Sequence, residues 1–160
     1  MKILVVFYSR SGRTKKIAEA ISDILKCDKE EIFDLKNRKG ILGFLSAGTD
    51  ANLRRLTAIK EIKNNPSLYD LVIIGTPVWS SNISTPIRTY LSLYKDNFKE
   101  VAFFCTRLGS DVEKVFVDME GICQKTPIAL LALTSREVAR DQYMQKVKEF
   151  IKKLKEEIAK

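Results

Sequence analysis

The sequence predicts an α/β fold: a doubly wound parallel sheet of five strands in the order 2-1-3-4-5, sandwiched between two layers of helices. Two observations carry this prediction. Short apolar runs alternate with helical patterns five times along the chain, with short links between them, as expected of β-α units whose crossovers make neighbouring strands parallel. The third of these runs, LVIIG, is apolar throughout, as a strand covered on both faces must be.

The elements follow in order. Residues 2–8 read as the first strand. A helix follows over about 13–26, where Ile17, Ala20, Ile21, Ile24 and Leu25 share one face at helical spacing. Glu31 to Leu35 reads as a short second strand. Lys39 to Gly48, KGILGFLSAG, reads as a glycine-punctuated connection. The second helix is expected to begin near Asp50 as its N-cap, with Leu53, Leu56 and Ile59 inward and Asn64-Asn65-Pro66 ending it. Leu71 to Gly75 is the third strand, and the third helix starts around Thr85-Pro86, where proline is tolerated. Val101 to Cys105 forms the fourth strand, the stretch near Val112 to Cys123 the fourth helix, and Ile128 to Leu133 the fifth strand. The last helix covers about 137–158, with Tyr143, Val147, Phe150, Ile151, Leu154 and Ile158 as its buried stripe. There is no internal repeat, low-complexity tract or linker, so residues 1–160 are expected to form a single domain.

Composition narrows the chemistry. Hydrophobic residues make up 45% and charged residues 30% of the chain, which places it among globular proteins. The longest apolar runs, ILVVFY and LVIIG, are too short to span a bilayer. The N-terminal run reads as a strand rather than a signal peptide, so cytoplasm is the expected location. Cys27, Cys105 and Cys123 form no CxxC pair and are expected as reduced thiols. The chain has no histidine, which removes Ser-His-Asp and Cys-His catalysis and every His-ligated metal site; no metal is expected. With 28 Lys and Arg against 20 Asp and Glu, the net charge is +8. Such a surface either is simply lysine-rich and solvated or attracts acidic partners and phosphates.

In open α/β sheets, ligands bind beyond the C-terminal strand ends, where strand order reverses, here between strands one and three. The unusual residues follow those two strands. After the first comes Ser9-Arg10-Ser11-Gly12-Arg13-Thr14. Its hydroxyls can donate to phosphate oxygens, Gly12 permits close backbone approach, and Arg13 and Thr14 enter a helix at its positive end. With one glycine and no G-K-[ST], the loop is neither a dinucleotide fingerprint nor a P-loop; it suits a monophosphate. After the third strand comes Gly75-Thr76-Pro77-Val78-Trp79-Ser80-Ser81-Asn82-Ile83-Ser84, with the only tryptophan of the chain. The indole either packs under its loop or stacks on a planar ligand, a contact that adds about 0.5–1.5 kcal/mol beyond area burial. A third loop, Thr106-Arg107-Leu108-Gly109-Ser110, offers small and polar contacts at the same edge. A phosphate at one end, a planar ring at the other and no second phosphate site describe a mononucleotide, of which flavin mononucleotide (FMN) is the natural candidate. Ser9, Arg10, Ser11, Gly12, Arg13, Thr14, Pro77, Val78, Trp79, Ser80, Asn82, Ile83, Thr106 and Gly109 are therefore the expected cofactor contacts.

The loop S-x-S-G-x-T, with T-P-V-W-S-S-N-I after the third strand, resembles the flavodoxin family over essentially the whole chain. The resemblance implies non-covalent FMN, a phosphate loop at Ser9, Ser11, Gly12 and Thr14, Trp79 against one flavin face, and electron shuttling between redox partners. Two features depart from the family pattern. The chain is basic where flavodoxins are usually acidic, with Arg10 and Arg13 beside the cradle. The loop after Trp79 also lacks the glycine that many members use for a redox-linked peptide flip, leaving Asn82 as the residue most tolerant of positive φ. Positive charge near a flavin favours its anionic reduced form, so a less negative low-potential couple and acidic partners, such as a ferredoxin-like protein or a reductase, are expected.

Three function classes compete. An electron carrier has no substrate pocket of its own and is reduced only through a separate reductase. An FMN-dependent NAD(P)H:quinone or other acceptor oxidoreductase would oxidise nicotinamide directly. A basic nucleic-acid module is disfavoured, because the basic residues lack interleaved aromatics and Trp79 would go unexplained. Ile41, Leu42, Phe44 and Leu45 in KGILGFLSAG either seal the sheet edge or form an apolar lid near the flavin. Cys105, at the end of the fourth strand, is read as a buried apolar thiol.

Overall fold

The strands β1 (Ile3–Phe7), β2 (Asp28–Glu31), β3 (Leu71–Trp79), β4 (Asn82–Ile83), β5 (Glu100–Arg107) and β6 (Leu130–Thr134) alternate with helices α1 (Arg13–Leu25), α2 (Gly40–Asn52), α3 (Thr85–Tyr94), α4 (Glu113–Cys123), α5 (Ser135–Ala139) and α6 (Met144–Ile158). This is a computed structural model, and it describes residues 1–109 and 111–160. The sheet order is β2-β1-β3-β5-β6, with all four of these pairings parallel. Counting parallel strands alone, this is the predicted order 2-1-3-4-5. The sixth strand, β4, is a two-residue antiparallel addition to the end of β3.

Alternation along the strands divides the core into two layers. Leu4, Val6, Val72, Ile74, Val101 and Phe103 face α3 and α4, where Ile87, Tyr90, Leu91, Val115 and Met119 meet them. Val5, Phe7, Leu71, Ile73, Ala102 and Phe104 face the opposite way, onto Ile17 and Ile21 of α1 and Val147, Phe150 and Leu154 of α6. Both faces of the central strands are therefore covered, as the unbroken apolar run of β3 requires.

Four elements differ from the sequence prediction. The second strand is DKEE, 28–31, not the apolar stretch that follows it. β2 lies at the sheet edge with β1 as its only neighbour, and an edge strand need not be apolar. β3 runs four residues beyond Gly75, because Thr76 and Pro77 pair with β5 and Val78 and Trp79 with β4. The last helix is broken. Thr134 and Glu137 form a capping box that starts α5, Asp141 turns the chain at φ 57, and α6 begins afresh at Met144. Ile158, expected inside, is exposed at its end.

The largest correction concerns α2. KGILGFLSAG is helix rather than connection, and Asp50 lies in its last turn rather than at its N-cap. Leu53 and Leu56 consequently face outward, and Asn65 instead caps a short 3-10 turn, Pro66–Leu68. The cause is a buried ion cluster. Arg38, 3% exposed, donates through Nε to Asp34 and through Nη1 to Asp50 at 2.7 Å. Asp50 also accepts from Lys36 at 2.7 Å and Arg55 at 3.1 Å, and Asp34 from the Thr57 hydroxyl at 2.8 Å. Three cationic donors hold the Asp50 carboxylate in the cluster, inside the last turn of α2. α2 is also pressed onto this cluster: a Cβ on Gly43 would lie 2.1 Å from the Arg38 carbonyl carbon, so only glycine fits there.

The cluster gives the fold an acid-sensitive contact. Burial alone would raise the Asp50 carboxyl, but the hydrogen bonds from Lys36, Arg38 and Arg55 outweigh it and hold the pKa at about 2, below the ordinary 3.8. Stability from a carboxyl lowered on folding is present above its unfolded pKa and is lost as pH falls through the folded value. Asp50→Asn is expected to cost about 1.5–3 kcal/mol at pH 7. The gap from wild type should narrow as pH drops from about 4 towards 2. Urea unfolding across that range measures it, and a pH-independent gap would contradict the assignment.

Candidate functional site

β1 ends at Phe7 while its neighbour β3 runs on to Trp79, and the residues at these two ends converge on two joined cavities. At the first, the chain leaves β1 through Tyr8, whose N–H donates to the Gly75 carbonyl at 3.3 Å. It turns where the Gly12 N–H donates to Ser9 Oγ at 3.0 Å. Gly12 has φ 94 and stands as N-cap of α1 with no side-chain cap. The first N–H groups of that helix are thus left for a ligand. Thr14 is buried, its hydroxyl 2.8 Å from the hydroxyl of Thr106 on β5. Arg10, Ser11, Arg13, Thr14, Thr106 and Arg107 border a small pocket of about 60 Å³. Three arginines and no carboxylate are among the described residues lining it, so its field is positive.

The second cavity is a cleft of about 430 Å³ between α2, the β3–β4 hairpin and the loop after β5. Phe44, Leu45, Ala47, Val78, Trp79 and Leu108 provide its apolar walls. Phe44, Val78, Trp79 and Leu108 line both cavities and so form the passage between them.

The hairpin has an unusual backbone. Ser80 and Ser81 occupy its two-residue turn with φ 48 and 59, the left-handed pair needed for a tight turn between twisted strands. Each non-glycine residue there costs roughly 1–2 kcal/mol. Asn82 offsets part of this: its side-chain amide donates to the Ser80 carbonyl at 2.6 Å, while its Oδ1 accepts from Lys114 at 3.0 Å. Asn82, the loop residue most tolerant of positive φ, does not adopt it; the two serines do, and Asn82 braces them. Thr76 and Ser84 tie the hairpin base through hydroxyl contacts of 2.9 Å and 3.1 Å.

Trp79 is 8% exposed. Its ring stands perpendicular to Tyr8 at 5.4 Å between centroids, and the Arg38 guanidinium lies 5.3 Å from its centroid. The indole thus joins the cleft to the ion cluster beneath it. Burial, reinforced by Asp34, pushes the Tyr8 hydroxyl up to about 12, so it stays protonated. Burial likewise pushes the Cys105 thiol up to about 12, leaving an inert apolar group.

Of the residues singled out in the sequence, Arg10, Ser11, Arg13, Thr14, Pro77, Val78, Trp79 and Thr106 come together at the small pocket, and Ser80 and Gly109 at the cleft. Ser9 and Gly12 shape the first loop. Asn82 and Ile83 are turned into the protein interior, away from both linings. Ser110 lies outside the described residues. The sequence left Phe44 and Leu45 either sealing the sheet edge or forming a lid, and set Leu108 in the third loop; all three line the cleft, joined by Gly48 and Thr49, while Ser135 lines the small pocket, and these last three were not singled out. A surplus of unpaired apolar residues in KGILGFLSAG was the available signal: Ile41 and Leu42 remain 81% and 84% exposed.

The flavodoxin family model matches residues 2–150. Among solved structures, the chain is similar to a flavoprotein from Lactobacillus acidophilus NCFM, crystallised in complex with FMN. The two share 29% identity and a TM-score of 0.69, over 87% of this chain and 97% of that one. A flavodoxin from the domain Archaea aligns at 18% identity and TM-score 0.53, covering 92% and 99%. Rubredoxin oxygen:oxidoreductase from Desulfovibrio gigas aligns at 14% identity and TM-score 0.58, covering 99% of this chain but 37% of its own. These last two likenesses are of fold. No curated protein matches the chain. No helix among the described residues is long and apolar enough to cross a membrane.

The burial of Trp79 gives it a structural weight that can be measured. Trp79→Ala is expected to destabilise the protein by about 3–5 kcal/mol, read as a lowered Tm without any ligand. An unchanged Tm would mean that the indole is not part of the core.

Proposed function

This chain belongs to the flavodoxin family, and from that premise we propose that it is an electron carrier of one domain, residues 1–160, that holds a single non-covalent FMN. The observation that carries the reading is the pair of joined cavities: a small, positively charged pocket at a helix N-terminus that opens into a larger apolar cleft. Ser11, Thr14 and the first N–H groups of α1 would hold the phosphate, with Arg10 and Arg13 neutralising it. The Trp79-Ser80 hairpin arm and the Leu108-Gly109 turn would border the flavin ring. Bound FMN supplies the redox chemistry by accepting and releasing electrons.

The protein's own part is to bind, orient and tune. Among the described residues, none lining the 430 Å³ cleft is titratable, so the cleft brings no acid or base of its own to a bound ring. The net charge of +8 makes an acidic redox protein the complementary partner. Free Cys27, Cys105 and Cys123 accord with a reducing compartment such as cytoplasm. The competing reading, an NAD(P)H:acceptor oxidoreductase, is separated by one assay: steady NAD(P)H oxidation by the purified protein alone favours it, and reduction only through an added reductase favours the carrier.

Titration of the apoprotein with FMN tests the cofactor directly through the visible spectrum, and no binding would overturn the proposal. Arg13→Gln is expected to weaken FMN by about tenfold, the loss of about 1.4 kcal/mol of phosphate interaction. It should also make the low-potential couple more negative by on the order of 20–40 mV, since a positive charge that favoured the anionic reduced form is gone. Spectroelectrochemical titration reads the shift, and a less negative potential would contradict its sign.

A further inference from the structure

Two aromatic side chains stand in the passage between the cavities, and they differ in what they can offer. Trp79 is spoken for: 8% exposed, perpendicular to Tyr8, with Arg38 over its ring. A guanidinium also lies over Phe44, so exposure is what separates the two rings: at 8% the indole has little free face. Phe44 is 50% exposed, lines both the small pocket and the cleft, and belongs to α2. The loop after β5 offers Leu108 there, an aliphatic residue.

We propose that Phe44 is the aromatic residue that stacks against the isoalloxazine ring, with Trp79 serving as the rigid floor beneath the passage. The inference rests on the FMN reading above and adds a binding residue to it. A half-exposed phenyl in a cleft gains from burial against a flat apolar ligand. Its position is set in advance. Gly43, the preceding residue, is pressed against the Arg38 backbone, and the Arg38 ion pairs with Asp34 and Asp50 hold both ends of the segment. On the other side the Arg10 guanidinium lies 5.3 Å from the Phe44 ring centroid. Arg10 belongs to the phosphate loop, so one side chain touches both the anion pocket and the stacking ring. A wall already in place loses little freedom when the ligand arrives.

Riboflavin, which has the ring but no phosphate, separates a ring contact from an effect relayed through Arg10. Affinities of FMN and riboflavin are to be measured by fluorescence titration for the wild type, Phe44→Ala and Phe44→Trp. Phe44→Ala should weaken both ligands by the same factor, about tenfold, while Phe44→Trp stays within about threefold of wild type. Thermal melts of the free proteins check that each variant is folded. If Phe44→Ala does not fold, Phe44→Leu replaces it, and an equal loss for both ligands is again the supporting result. Wild-type affinity of the truncated variant for both ligands would overturn the inference while leaving FMN binding intact. A loss for FMN alone would also overturn it, by showing that Phe44 acts on the phosphate through Arg10. Failure of the wild type to bind either flavin would instead overturn the FMN reading itself.

Discussion

The Arg38 guanidinium, buried between Asp34 and Asp50, is the contact on which the site depends. It draws together a loop after β2, the last turn of α2 and the ring of Trp79. An unpaired charge at that depth would be strongly destabilising, so each partner is held by the requirement to satisfy it. The local consequences follow in sequence. Asp34 fixes the chain before Arg38. Gly43 accepts the Arg38 backbone at a distance no other residue permits. α2 therefore leans over the strand ends, and the apolar cleft exists because it does. The sheet alone would provide an edge with loops; the ion cluster converts one of those loops into a wall.

The two cavities divide electrostatic work from apolar work. The arginines border the small pocket, while the described residues of the cleft bring no titratable group. On the proposed reading, charge would act on a ring in the cleft from a distance rather than by direct contact, and the same arginines would set affinity and redox poise without a proton donor beside the ring. Tyr8, the nearest phenol, is held protonated by burial and by Asp34, and the Cys105 thiol by burial.

Much of this was legible in the sequence. Fold class and strand order follow from local patterns: apolar runs, helical spacing and a hydroxyl-rich turn before an amphipathic helix. The errors share a physical origin. α2 was read as a connection because its three glycines and its exposed Ile41 and Leu42 break the amphipathic pattern, and because the charge cluster that anchors it ties Arg38 to Asp34 before it and to Asp50, 12 positions on, in its last turn. β2 was displaced because edge strands do not advertise themselves by hydrophobicity. The extension of β3 and the existence of β4 depend on pairing across a two-residue turn whose left-handed backbone the sequence Ser-Ser does not signal. Asn82, expected as a cofactor contact, instead holds its neighbours through its amide and Lys114.

That turn also marks where the chain keeps mutational headroom. Ser80 and Ser81 hold left-handed conformations that glycine or asparagine adopts with less strain. Stability could be gained there without touching the core, yet the same residues border the cleft. A laboratory selection for thermal tolerance alone would be drawn to these two positions early. In doing so it would redraw the rim of the cleft, so robustness and cleft shape in this protein are coupled at a single hairpin.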